Sequence, residues 1–251
     1  MPRFSVPQHE LEKRISELQG RLQSSNADGA FLAQRTDIYY FSGRDDPDYM
    51  FVPSEGQASV FFLDKEVPNN KALTPYDTYF VTGPAGIRKA LTSKHRVGRS
   101  RIGLELDVVS FLESGRYKDL FEDSEIFDVS PLILGQRAVK SLWELEVMRQ
   151  AAGITAQVFE AIRSFIQPGM TEMELSAEAE AHAQVLGDSL IDIRVRDYKT
   201  EGYPWHVLSG PNGVMIGLLD SPASGKGTSA AFPCGASQKR IITHEPIMVD
   251  F

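Results

Sequence analysis

Between Ala30 and Val129, short apolar runs bounded by turn residues alternate with stretches of helical period, and this alternation does most to limit what the chain can fold into. Ala30 to Ala33, Ile38 to Phe41, Ala58 to Leu63, Thr78 to Val81 and Ile102 to Leu106 read as strands. Gly86 to Ser93 and Val108 to Leu120 read as helices between them. Ahead of the first strand, Leu11, Ile15, Leu18 and Leu22 recur at helical spacing, giving an amphipathic helix that ends near Ser24 to Asp28 and needs a sheet to pack on. Interleaving of this kind builds a compact α/β domain with a mixed or parallel sheet. We place that domain at 1–130 and a linker at 131–140.

The second half, 141–251, opens with Ser141 and Glu144, a capping box in which each side chain satisfies the other's free backbone N–H. A long helix follows, with Leu145, Met148, Ala152, Thr155, Val158, Ile162 and Phe165 on one largely apolar face until Gln167-Pro168-Gly169 stops it. Thr171 and Glu174 form a second capping box, and Leu175, Ala179, His182 and Val185 mark one side of a helix ending at Gly187. Beyond Trp205 the pattern turns to strand-like pieces, Val207-Leu208 and Ile247 to Phe251, separated by a Gly/Ser/Ala-rich stretch from Ser221 to Ser237.

Bulk properties exclude several classes. The chain has 251 residues, 42% of them hydrophobic, enough to fill a core. With 34 acidic against 26 basic side chains, the formal charge of −8 disfavours a nucleic-acid or anionic-membrane partner. The one cysteine, Cys234, forms no intrachain disulfide and, with no histidine or base close by, reads as an inert thiol. Met1 to Gln8 lacks the build of a signal peptide, and no apolar stretch is long enough to span a bilayer. The chain therefore reads as cytoplasmic. Its glycines fit neither Gly-x-Gly-x-x-Gly nor a P-loop, since Gly225-Lys226 is followed by Gly227.

Four segments, in this order, resemble the creatinase, prolidase and methionine aminopeptidase superfamily, whose catalytic domain is the pita-bread fold. They are Asp37-Ile-Tyr-Tyr-Phe-Ser-Gly43, Ala138-Val-Lys-Ser-Leu-Trp-Glu-Leu-Glu-Val-Met-Arg-Gln-Ala151, Ile166-Gln-Pro-Gly-Met-Thr-Glu-Met-Glu-Leu175 and Glu245-Pro-Ile-Met-Val-Asp-Phe251. The resemblance implies a mixed-sheet creatinase-like N-terminal domain followed by the first half of an α+β pita-bread domain. It implies an Xaa-Pro aminopeptidase or dipeptidase in which two Asp, one His and two Glu bridge a pair of divalent ions that generate a hydroxide. Oxygen-rich ligation suits Mn²⁺, with Co²⁺, Fe²⁺ or Zn²⁺ as alternatives. Of the five ligands the resemblance carries over only Asp250, so the chain as it stands is expected to bind no metal pair and to be inactive.

The same resemblance places Asn212, in Ser209-Gly-Pro-Asn-Gly213, and His206 near the substrate. It also expects a histidine shortly after that segment, where Gly217 stands. This departure favours a second reading, a creatinase-like or lyase-like member acting on a small non-peptide substrate, and a third is a noncatalytic dimerisation or binding module. Without the family context Asp250 reads as a strand-end turn cap, and His206 as either a substrate contact or a packed imidazole. Asp45, Asp46 and Asp48 read either as a solvated turn or as a loop reaching toward a partner's active site. Expected partners are a peptide or small-molecule substrate and a second copy of the chain, a homodimer or other self-association in which Ile247 to Phe251 offers an unpaired apolar edge.

Overall fold

The computed structural model describes residues 5–65, 75–94, 99–187, 206–215 and 224–250, with only the backbone of His206. The chain divides into two compact units, the first running through Lys140 and the second beginning at Ser141.

In the first unit, α1 (Gln8–Ser24) leads into β1 (Gly29–Leu32), α2 (Arg35–Ser42), β2 (Tyr49–Pro53), β3 (Ser59–Leu63), β4 (Asp77–Val81), α3 (Gly83–Lys94), β5 (Arg101–Leu104), α4 (Phe111–Leu120), β6 (Glu125–Asp128) and α5 (Ser130–Arg137). The six strands form one sheet in the order β4-β3-β2-β1-β5-β6. Only β2 runs against its neighbours; β1, β5 and β6 pair in parallel, as do β3 and β4. Helices cover both faces. Leu18 and Leu22 of α1 and Ile133 of α5 pack with Ala30, Leu32, Val52 and Val60 on one side. Ile87 and Leu91 of α3, with Leu120 and Phe121, pack on Phe31, Phe51, Phe61 and Leu104 on the other. A sheet covered on both faces has no solvent side, so its strands read as continuous apolar runs. Each leucine-sized side chain it buries contributes about 1.5–3 kcal/mol.

Three sequence expectations need correction here. Ile38 to Phe41 is helical, not a strand: Gln34 Oε1 accepts the Thr36 N–H, and Gly43, at φ 68° where a side chain would be strained, closes the helix on the Tyr39 carbonyl. Ile38 and Phe41, one helical turn apart, are both buried. The strands between which this helix crosses are β1 and Tyr49–Pro53; neither that run nor Glu125–Asp128 stood out as a strand in the sequence. Finally, most of 131–140 is the helix α5 rather than a linker. Ile133 is fully buried, Gln136 Nε2 donates to the Arg14 carbonyl at 2.8 Å, and Arg137 Nη1 donates to Asp37 Oδ1 at 2.5 Å.

A buried acid pair sits where β1 and β5 end. Glu105 Oε2 accepts the N–H groups of Ala33 and Gln34, both at 2.8 Å, fastening the entry to α2. Its Oε1 meets no donor, and the neighbouring acid is Asp37, so a proton on Glu105 is what lets the two carboxyls bond. Burial, and then the Asp37 carboxyl, hold the Glu105 acid well above the ordinary carboxylate range.

The second unit has α6 (Leu142–Phe165), α7 (Glu172–Leu186), β7 (His206–Ser209), a 3-10 turn (Gly210–Val214) and β8 (Ile247–Asp250). Both capping boxes form as the sequence reading expects, Ser141 with Glu144 and Thr171 with Glu174. The buried lane of α7 differs: Glu172, Leu175, Ser176, Ala179 and Ala183 turn inward, while His182 is exposed and Val185 is 86% exposed. On α6 only Val158 and Ile162 are buried, and Met148 on the same lane is 52% exposed. Strand β8 is not unpaired; it runs antiparallel to β7 in a two-stranded ribbon.

Two measurements follow from this arrangement. Trypsin should first separate the units after Lys140, which is exposed together with Ala138 and Val139, and leave α5 attached to the first unit; primary cleavage at Arg137 or inside 101–128 would contradict that boundary. The second concerns Glu105. With a raised folded pKa, its contribution to stability is fully present below the ordinary carboxylate range and is lost as pH rises through the folded value, at about 1.4 kcal/mol per pH unit in that window. In Glu105→Gln the amide oxygen can accept the two N–H groups and the NH₂ can donate to Asp37 at every pH. Thermal melts from pH 5 to 8 should show the variant losing less stability than the parent as pH rises; an equal or steeper loss would refute the shared proton.

Candidate functional site

The polar centre of the second unit is built on Glu172, the first residue of α7. Its side chain is fully buried and receives five hydrogen bonds. Oε1 accepts from Ser209 N at 2.6 Å and Ser209 Oγ at 2.9 Å. Oε2 accepts from Asn212 Nδ2 at 2.9 Å, Ser237 N at 3.0 Å and Ser237 Oγ at 2.7 Å. The backbone supports the same junction, with Glu172 N donating to the Lys239 carbonyl and Met173 N to the Ser237 carbonyl. A carboxylate at the positive end of a helix is favoured electrostatically, and here that end meets two other chain segments. The network continues outward: Lys239 Nζ donates to Ser209 Oγ at 2.8 Å and to Glu245 Oε1 at 2.5 Å, and Glu245 Oε1 also accepts from Ile242 N. Lys239, with that N–H, holds the Glu245 carboxyl below the usual range. Gly210 takes φ +50° directly against Glu245, a place where any Cβ would collide with the carboxylate.

This geometry bears differently on each expected site residue. Asn212 is buried, and its amide nitrogen also donates to Ser237 Oγ at 3.1 Å. Asp250 lies exposed at the end of β8, and the ribbon register sets it opposite His206. Val207, Ile247 and Val249 pack with Leu175 and Ala179 of α7, so position 250 falls on the ribbon face away from the helices. Gly217 lies outside the described residues. Ser209 is fully buried, so it braces the turn and is out of reach as a nucleophile. The acidic loop of the first unit is internally engaged: Arg44 makes two bonds to Asp46, which hold its carboxyl low, and Asp48 Oδ2 accepts from Leu63 N at 2.8 Å beside Lys65.

The donors among the described residues do not make up a dinuclear metal centre. Such a pair needs several carboxylates and an imidazole converging on one point, and among the described residues no three His, Cys, Asp or Glu side chains do so. An open groove of about 650 Å³ between α6 and α7 is apolar, lined by Ala156, Ala181, Val185 and His182 with Glu160 and Glu178 at its rim. Its histidine stacks on Phe165 at 5.1 Å and meets the Glu178 carbonyl through Nδ1. No nucleophile or metal-ligand set lines it.

Glu172 and Ser237 did not stand out in the sequence. Glu172 reads there as an ordinary first-turn acid beside the capping box, and the one signal for it is a second acid in that turn when Glu174 already serves the box.

Residues 14–139, half of the chain, match the Creatinase/Prolidase N-terminal domain, and residues 146–251 match Metallopeptidase family M24. An uncharacterized peptidase of Bacillus subtilis, YqhT, is 22% identical over 175 residues, covering 69% of this chain and 49% of its own. An Xaa-Pro dipeptidase from Bacillus anthracis superposes with a TM-score of 0.75 at 20% identity, over 96% of this chain and 60% of that one. The prolidase from Pyrococcus horikoshii OT3 gives 0.70 at 18% identity, over 94% and 59%. The chain thus spans about half the length of the curated relative and about 60% of these structures. With the mixed sheet of its first unit and the helix pair and ribbon of its second, the chain belongs to the creatinase/prolidase family, joining that family's N-terminal domain to M24 metallopeptidase sequence.

Proposed function

We propose that the intact protein is a metal-dependent hydrolase of Xaa-Pro peptides, an aminopeptidase or dipeptidase, with Asp250 as a metal ligand and His206 and Asn212 close to the substrate. The match of 146–251 to Metallopeptidase family M24 carries this reading, together with a carboxylate at the exposed end of β8. The resident pair is read as Mn²⁺, with Co²⁺, Fe²⁺ or Zn²⁺ as alternatives, and the compartment as the cytoplasm. Gly217, where the resemblance expects a substrate-contacting histidine, favours a second reading, turnover of a small non-peptide substrate on the same scaffold. A noncatalytic role as a dimerisation or binding module is the third.

In the intact protein, Asp250→Asn should lower Xaa-Pro hydrolysis by on the order of a thousandfold, because a lost metal ligand removes several kcal/mol of transition-state stabilisation. The 251-residue chain assayed alone with Mn²⁺ should show no turnover, since among its described residues no three His, Cys, Asp or Glu side chains converge to hold a metal. Full activity in Asp250→Asn, or turnover by the chain alone that survives Asp250→Ala, would sink the assignment. Hydrolysis of small amidines or ureas without Xaa-Pro cleavage would favour the second reading.

Self-association is supported by the exposed lane of α6, where Leu142 is 84% and Met148 52% exposed. Sedimentation should give a dimer or larger species for the 251-residue chain and a monomer for Leu142→Glu/Met148→Glu. A monomeric parent would exclude association through this helix.

A further inference from the structure

We propose that Glu172 is the positioning residue of the β7–β8 ribbon, setting the register and the face on which Asp250 is presented. The inference rests on the reading of Asp250 as a metal ligand only for its chemical consequence; the structural part stands on the hydrogen bonds alone.

A two-stranded ribbon is marginal by itself, and its register is weakly specified unless something pins it. In this unit one end is pinned chemically. Ser209, the last residue of β7, gives both its N–H and its hydroxyl to Glu172 Oε1, and Asn212, in the turn that follows, gives its amide to Oε2. Gly210 N then donates to the Pro246 carbonyl at 2.9 Å, one residue before β8 begins, so the pinned turn hands its position directly to the partner strand. From Ser209↔Ile247 the register runs through Leu208↔Met248 and Val207↔Val249 to His206↔Asp250. Strand residues alternate faces, so a slip of one residue would carry position 250 to the helix-facing side.

All five partners donate, so the site asks for an acceptor at both oxygens. Glutamine supplies one acceptor and one NH₂, and the NH₂ must face either Ser209 N–H or the Ser237 N–H and Asn212 NH₂. Lys239 reaches Ser209 Oγ with an ammonium that only donates, so it cannot stand in for the lost carboxylate.

The test is amide NMR on the full 251-residue chain. In Glu172→Gln the Ser209 and Ser237 amide protons should move upfield, and the amides of β7 and β8 should exchange about tenfold faster while those of β1, β2 and β5 keep their rates. Unchanged β7–β8 exchange in a folded Glu172→Gln chain would overturn the proposal. Should that variant fail to fold, Ser237→Ala, which removes one donor and keeps four, should still speed β7–β8 exchange severalfold, and no change there would overturn it equally. A rate increase spread evenly over both units would mean a general loss of stability and would also count against it. A second arm reads the register: the cross-strand backbone NOEs that mark Val207↔Val249 and His206↔Asp250 in the parent should weaken or move in Glu172→Gln, and their full retention would count against the pin.

Discussion

A carboxylate removed from water costs several kcal/mol unless donors replace the water it loses, and the second unit is organised around meeting that demand at Glu172. Five donors from three residues converge on it. Those residues sit on pieces of chain 37 to 65 positions away, so satisfying one side chain brings α7, the end of β7 with its turn, and the segment at Ser237 together. Apolar packing then has defined partners: Val207 reaches Leu175 and Ala179, and Ile241 closes on the same cluster. Each donor also bonds with the direction of its own group, so the junction fixes orientation as well as proximity, which nondirectional burial alone does not.

The first unit has a buried acid that solves the same problem by another route. Glu105 receives only two backbone N–H bonds, and its other neighbour is an acid, Asp37, already engaged by Arg137. With too few donors, the remaining way to quiet the charge is to keep the proton, and burial drives the group in that direction. The two acids therefore do similar mechanical work, each tying a loop to the start of a helix, but one is met by five donors and the other by two. Donor count decides which outcome a buried carboxyl takes.

Much of the fold could be read from the sequence where the physics is local. A capping box joins residues three apart, so Ser141 with Glu144 and Thr171 with Glu174 announced their helices. Leu11, Ile15, Leu18 and Leu22 announced α1, and all four are buried. Reading failed where two local signals competed. Ile38-Tyr39-Tyr40-Phe41 is rich in strand-favouring side chains, yet the cap at Gln34 and the left-handed Gly43 outweigh that preference once Ile38 and Phe41 can share one buried face. Assigning this run to a strand then hid Tyr49–Pro53, the true neighbour of β1. Helix α5 was hidden by Pro131 and Gly135, which suggest a linker; Pro131 instead sits in the first turn, where its missing N–H costs nothing. Of the Glu172 junction only the second first-turn acid showed, because nothing in a single sequence reveals that Ser209, Asn212 and Ser237 meet.

The ribbon separates residues that hold the fold from residues available for chemistry. Ser209 and Asn212 lie in a motif that invites a catalytic reading, and the structure commits the Ser209 hydroxyl and the Asn212 amide nitrogen to Glu172 and its neighbours. Asp250 stands at the other end, exposed, three register steps from the pinned pair and on the face away from the helix core. Its place on that face follows from strand alternation counted from the pinned end. Pinning one end of β7 leaves the position of the opposite end, exposed at Asp250, to the ribbon register.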